Sequence, residues 1–476
     1  MSRVVVVGAG VGGLTAAVRL AEAGHEVVVH ERAAVAGGKL SGYERDGFRF
    51  DTGPNLLTLP QVFDHLGARP QLLDPVVRHV FPDGTVLDST SSHPEFLDRI
   101  GVALGADAAH DWAHFWKRAE RIWAASWRSV LRQPVSAASL AALSWRLGDL
   151  AAIAPGRTLR GLGRHYLRDW RLRMLLDRYA TYAGADPRRA PAALAAIPYA
   201  ELHFGGWYLP GGLGTIGAAL LERCAALGVT VQLNSEVDEI VAADGRVTGV
   251  RLGTGFDRAD FVVANADAVT VYRDLLPAPR RLAGLADRSL AGFVLLLGVR
   301  GETPALAHHT VFFPHRYDTE FDAIFGSPAA RARPATAPAV FVTRAVDPAV
   351  HPAATEAWSV LVNAPRHGTA WSAVDWTRPD LAPAYRDHIL AVLAARGPDV
   401  RDRLIFAETR TPADLATATA APGGAIYGTA GGLLRPANRG PVDGLYLVGG
   451  SAHPGGGLPM VTLSAQIVAD QIDRAG

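Results

Sequence analysis

Four valines running into glycines near the start of this chain restrict its fold more than any other feature. Val4–Val7 is too short and too β-branched for a helix, and it is predicted to be a buried parallel strand. Gly8, Gly10 and Gly13 then form G-x-G-x-x-G, a spacing that leaves room for a tight turn, a close pyrophosphate and close helix–strand packing. A helix is predicted over about 12–23, with its free amides and positive dipole end directed at the phosphates. A second apolar strand, 27–30, ends at Glu31 and Arg32. A carboxylate there accepts hydrogen bonds from a ribose diol and repels a 2′-phosphate, so the nucleotide is FAD or NAD rather than NADP. Strand, turn, helix, strand and acid all fall in order, which a chance set of turn glycines would not give.

Composition narrows the class. A chain of 476 residues exceeds one ordinary core, so intertwined domains are expected. The net charge of +1 gives no field to recruit nucleic acid, and the single cysteine, Cys224, excludes an intrachain disulfide and a cysteine-cluster metal site. A strand starting at Val4 leaves no space for a secretory leader, and no apolar run reaches the roughly 18 residues a membrane span needs. The expected location is therefore the cytoplasm.

Behind Glu31, Gly37 and Gly38 allow a second close backbone approach, and Lys39 is a cation placed to meet phosphate. "FRFDTGPN" reads as an edge strand running into a turn at Gly53-Pro54. Residues 111–180 hold six of the ten tryptophans, and from Lys117 to Arg178 there are 13 Lys/Arg against 4 Asp/Glu. On a helical wheel Leu159, Leu162, Tyr166 and Trp170 share one face, with Arg157, Arg160, Arg164, Arg168 and Arg171 opposite. Basic residues opposing tryptophan and leucine suit a helix lying in a membrane interface; the alternative is a solvated helix packed on its own domain.

Further on, a helix is predicted over 214–227, a strand over 229–233 and a hairpin turn at Asp244-Gly245. "ADFVVANAD" (259–267) reads as another buried strand ending in polar residues. Residues 270–410 carry scattered strands that periodicity does not organise. "TPADLATATAAPGGAIYGTAGGLLRPANRG" reads as a crossing segment ordered by a pocket. At the C-terminus a strand over 445–448 meets Gly449-Gly450, a glycine-rich loop and a helix from about Pro459. A nucleotide held by both ends of the chain is long and extended, which suits FAD better than NAD.

With these pieces assembled, the chain resembles the phytoene desaturase family of FAD-dependent carotenoid desaturases. The resemblance is carried by "GAGVGGLTAAVRLAEAGHEVVVHER", "AGGKLSG", "GFRFDTGPN", "RYATYAGADPRRAPAALAAIPY", "GGWYLPGGLGTIGAAL" and "LYLVGGSAHPGGGLPMVTLS", in family order. "LPMVTLSA" is closer to the hydroxycarotenoid 3,4-desaturase branch. The resemblance implies an α/β fold: a Rossmann-like FAD-binding domain with a parallel sheet (1–60, 210–270 and 435–476), an interleaved α+β substrate domain (61–110 and 271–434), and a helical, membrane-contacting region (111–209). It implies that Gly8, Gly10, Gly13, Glu31, Arg32, Gly38, Lys39, Leu40 and the Val237 backbone hold the ADP half of FAD. Thr52, Gly53, Pro54, Gly450, His453, Pro459, Met460 and Val461 would then sit near the flavin. His453, the one histidine inside a cofactor motif, is the candidate base or flavin-carbonyl partner, with a structural role in its loop as the alternative. The implied reaction is desaturation of a lipophilic polyene at the inner face of the cell membrane, with no metal. The acceptor that reoxidises the flavin is not written in the sequence. Two alternatives are a non-redox carotenoid isomerase and an amine- or protoporphyrinogen-oxidase-like flavoenzyme.

Overall fold

The computed structural model describes residues 1–475 except 67–68, 137–140, 142–144, 254 and 431–434. Parts of the expected helical stretch and of the crossing segment therefore lie outside the described residues. The valine run forms β1 (Arg3–Val7), followed by α1 (Val11–Glu22) and β2 (Glu26–His30). These strands join Thr230–Gln232, Phe261–Ala264 and Leu445–Leu447 in a five-stranded sheet, parallel throughout. Val4, Val5 and Val6 are fully buried because both faces of the sheet are covered, which is why β1 shows no polar alternation. One face packs on α1, the helix Thr215–Ala226 and the C-terminal helix Leu458–Asp473. The other packs on the hairpin strands Val237–Ala243 and Arg246–Leu252. Being parallel, the strands deliver Gly8, Glu31, Asn265 and Val448 to one common edge, where ligands of open α/β sheets bind.

A second sheet of seven strands, mostly antiparallel, is built on Ala291–Arg300, which pairs along its whole length with Thr355–Ala364. Above it lies a helical layer that includes Ala106–Ser126, Leu159–Tyr166, Trp170–Thr181 and Ala196–Phe204. No helix among the described residues is long and apolar enough to cross a membrane.

The helical layer corrects the amphipathic-face expectation. Leu159–Tyr166 and Trp170–Thr181 are two helices, not one: Arg168 N–H donates to Asp111 at 3.0 Å, and Asp169 caps the second helix through the Arg171 amide at 2.7 Å. Leu159 and Leu162 are buried in the domain's own core with Trp112 and Phe115, and Tyr166 packs partly against it, so three of the four apolar-face residues are spent inside the protein. The arginines are not a common outward stripe either. Arg160 pairs with Asp177 (2.8 Å) and Asp318 (2.6 Å), Arg168 with Asp111 (3.0 Å), and Arg171 with Asp169 (2.7 Å) and Asp83 (3.1 Å). Arg157, Arg164 and, despite its ion pair, Arg168 remain exposed, as do Trp145, Leu147 and Trp170.

Candidate functional site

The common edge of the parallel sheet forms a cradle. Gly8 takes φ of 100° as the chain leaves β1, and its amide donates to the His30 carbonyl at 2.7 Å. No side chain caps α1, so its first amides stay available, and Gly10, Val11 and Gly12 line a cavity of about 860 Å³. Glu31 lines it too. Its two carboxylate oxygens accept from the Ala9 amide (2.7 Å) and the Ala33 amide (2.8 Å), so it fixes the turn while keeping further lone pairs for a ribose diol.

Asn265, at the end of Phe261–Ala264, was not singled out in the sequence. Its amide nitrogen donates to the Gly8 carbonyl at 3.3 Å. A Cβ on Gly10, Gly12 or Gly449 would stand 2.9, 2.6 or 2.5 Å from the Asn265 side chain. These glycines therefore make room for Asn265 as much as for a ligand. A Cβ on Gly13 would meet the Gly8 carbonyl oxygen at 2.1 Å, so close helix–strand packing is the reason for that glycine. Gly13 accordingly does not line the cavity. The signal for Asn265 was present as the polar end of a buried apolar run.

Arg32, Gly38, Leu40, Thr52, Gly53, Pro54, Val237, Gly450, Pro459, Met460 and Val461 line the same cavity. Arg32 also donates to the Thr417 carbonyl, and Thr52 Oγ1 donates to the Ser41 carbonyl at 2.8 Å. A Cβ on Gly53 would lie 2.0 Å from the Lys39 carbonyl oxygen, so that turn accepts glycine alone without rearrangement. Pro459 sits in the first turn of the C-terminal helix, whose N-terminus faces the cradle from the opposite side to α1.

Two residues take places the sequence did not foresee. Lys39 lines the cavity, but its ammonium donates to the carbonyls of Ala425 (2.9 Å) and Ile426 (2.7 Å), tying the crossing segment to the cradle. Burial lowers its pKa to about 8, helped by nearby Arg288 and opposed by Asp267. His453 is buried and does not line the cavity. Its Nε2 donates to the Val130 carbonyl at 3.0 Å, which leaves it an anchor between loop and helical layer, and this corrects its candidacy as a base. Burial also pushes its pKa down.

From the cradle the cavity runs into the helical layer, where Trp123, Val130, Ile153 and Leu194 form its wall. A cavity of this size sits near the upper end of the roughly 300–1,000 Å³ usual for small-molecule sites. A glycine cradle, two uncapped helix N-termini on one edge, and Glu31 with spare lone pairs fit an extended dinucleotide such as FAD. The cations Lys39, Arg288 and Arg435 beside the carboxylate of Asp267 favour anionic charge there; burial, helped by Arg288 and opposed by Asp267, takes Arg435 down to about 10.

A model of the flavin containing amine oxidoreductase family matches residues 11–299. The chain is 32% identical to a 4,4'-diapolycopene oxygenase of a Methylomonas species, over 99% of this chain and 98% of that one. It is 30% identical to a 4,4'-diaponeurosporene oxygenase of Staphylococcus aureus, again over 99% and 98%. Among solved structures, an oxidoreductase from Methanosarcina mazei shares the fold with a TM-score of 0.67 at 18% identity, covering 98% of this chain and all (100%) of the other.

Two outcomes test the cradle. Gly13→Ala is expected to yield protein with little or no visible flavin absorbance, because the added methyl meets backbone rather than a movable side chain. In flavin-free protein, the folded chain releases the Lys39 proton near pH 8 and the unfolded chain near its ordinary 10.5. Across that window the unfolded chain binds more protons, so the Lys39 contribution to stability rises with pH, and the penalty of the buried charge is complete below about pH 8. The melting temperature of Lys39→Met relative to the parent is expected to fall as pH rises from 8 to 10.

Proposed function

The chain belongs to the flavin containing amine oxidoreductase family, and from that membership we propose that it uses FAD to desaturate a carotenoid or related long isoprenoid polyene. One observation carries this reading: a single cavity runs from the dinucleotide cradle at Gly10, Gly12 and Glu31 to apolar walls at Val130, Ile153 and Leu194. A largely apolar extension beside a flavin suits a long hydrocarbon better than a polar amine. The two relatives named for diapolycopene and diaponeurosporene support the same substrate class.

FAD, when bound, supplies the two-electron oxidant. The chain's residues bind and exclude water. Amides at the start of α1 would hold the phosphates and those at the start of the C-terminal helix the flavin ring, Glu31 would hold the ribose, and the Val130–Ile153–Leu194 wall would keep water from the polyene. A second reading is favoured by the relatives' names: oxygenation of the polyene. Product mass separates the readings when flavin-loaded protein is given liposome-embedded carotenes. Desaturation predicts the loss of two hydrogens per step, oxygenation a gain of oxygen, and isomerisation no change in mass.

The proposal includes a peripheral seat on the cytoplasmic face of a membrane. Trp145 is 87% exposed and Leu147 72%, and Arg146 between them donates to Ser129 at 3.2 Å, beside cavity-wall residues Val130 and Leu131. An apolar patch next to that wall gives a lipophilic substrate a short path. Burying each side chain is worth about 1.5–3 kcal/mol, and each neighbouring arginine about 1 kcal/mol at an anionic surface. Trp145→Ser with Leu147→Ser is expected to weaken liposome co-sedimentation at every salt concentration. Arg157→Gln with Arg164→Gln should weaken it only at low salt. Retention of wild-type binding by the Trp145/Leu147 double variant would refute the seat.

A further inference from the structure

The apolar arm of the cavity carries a buried cation at the "RYATYAGADP" motif, which the nucleotide site does not use. Arg178, on the helix Trp170–Thr181, lines the cavity although only 6% of it is exposed. Its guanidinium lies over the rings of Tyr182 (4.9 Å) and Phe341 (5.1 Å), and Nη2 donates to Tyr182 Oη at 2.8 Å. Nη1 is buried and has no partner among the described residues. Arg178 also forms no direct ion pair among them; the buried carboxylate of Glu201 in its neighbourhood is hydrogen-bonded by Tyr179 Oη at 2.8 Å and by the Tyr182 hydroxyl, which leaves Nη1 unmet. Tyr317, just ahead of the helix Asp318–Phe325, lines the same cavity at 5% exposure, and its hydroxyl is likewise buried without a partner.

Buried polar groups are almost always paired, and an unpaired cationic N–H is the most costly kind to leave unmet. Two such groups on residues that line one cavity call for a partner that enters with the substrate. A guanidinium can only donate, so that partner is an acceptor, and a methyl-ended hydrocarbon has none.

We propose that Arg178 and Tyr317 hold an oxygen at one end of the polyene, the carbonyl or carboxylate oxygen of a chain already oxidised at its terminus. The inference rests on the polyene reading and narrows it to oxygen-bearing substrates. Their supply requires a prior reaction that oxidises the chain end. Arg178, held against the Tyr182 and Phe341 rings, is a positioned donor that sets which end of the polyene lies deep in the cavity.

The test uses flavin-loaded full-length protein and three polyenes of one length: the hydrocarbon, its terminal aldehyde and its terminal acid. Equilibrium binding is read from quenching of tryptophan fluorescence. The parent is expected to bind the oxygenated chains more tightly than the hydrocarbon by about tenfold to a hundredfold, the range of a hydrogen bond to a charged group. A preference for the acid alone assigns a carboxylate, and a preference for both oxygenated chains assigns a carbonyl oxygen. Arg178→Met should abolish the preference, Arg178→Lys should recover part of it for the acid, and Tyr317→Phe should reduce it severalfold. Should Arg178→Met fail to fold, Tyr317→Phe, which removes one oxygen atom, decides by the same ratio. Equal binding of all three chains by the parent, or an unchanged ratio in the variants, overturns the proposal while leaving the polyene reading intact. A parent that binds none of the three overturns the polyene reading, and this proposal with it.

Discussion

The architecture depends on how closely backbone approaches backbone where three parallel strands end. β1, Phe261–Ala264 and Leu445–Leu447 bring Gly8, Asn265 and Gly449 to one edge, and the Asn265 side chain fills the space that Cβ atoms on Gly10, Gly12 and Gly449 would need. The contact of Gly13 with the Gly8 carbonyl oxygen seats α1 against the sheet. Because the strands are parallel, α1 and the C-terminal helix start at that same edge, and two positive dipole ends face one volume. Lys39 closes the volume from the far side by gripping the crossing segment through two carbonyls.

The helical layer follows a different logic, that of charge cancelled at short range. A local excess of arginine is balanced by aspartates from elsewhere in the chain: Asp318 for Arg160, Asp83 for Arg171, Asp111 for Arg168. Most of that pairing is partly exposed, so it adds geometry more than stability. Stability comes from the core beneath, where Trp112, Phe115, Leu159, Leu162 and Tyr179 are buried together.

Legibility of the sequence followed the range of the interactions. The strand read at 4–7 is Arg3–Val7, the helix read at 214–227 is Thr215–Ala226, and the turn at Asp244-Gly245 joins Val237–Ala243 to Arg246–Leu252. Each is set by neighbours in sequence. Cavity-lining residues inside glycine motifs were legible for the same reason. The helical wheel over 159–170 failed because Asp111 and Asp169, not periodicity, end the first helix and begin the second. The seven-stranded sheet within 78–410 was not legible, since its pairings join segments far apart in the chain. Arg178 and Tyr317 were missed as a pair on the same ground: only the fold brings them to one wall.

The hydrogen bond from His453 to the Val130 carbonyl has a consequence for how such proteins diversify. One partner belongs to the glycine loop beside the C-terminal helix, the other to the helical layer that lines the apolar arm. The layer is thus no interchangeable cassette sitting on a neutral platform. A recombinant that grafted another protein's helical layer onto this sheet would carry the graft's carbonyl geometry straight into the cofactor loop. Crossovers that keep Trp127–Leu131 together with the C-terminal loop preserve that contact.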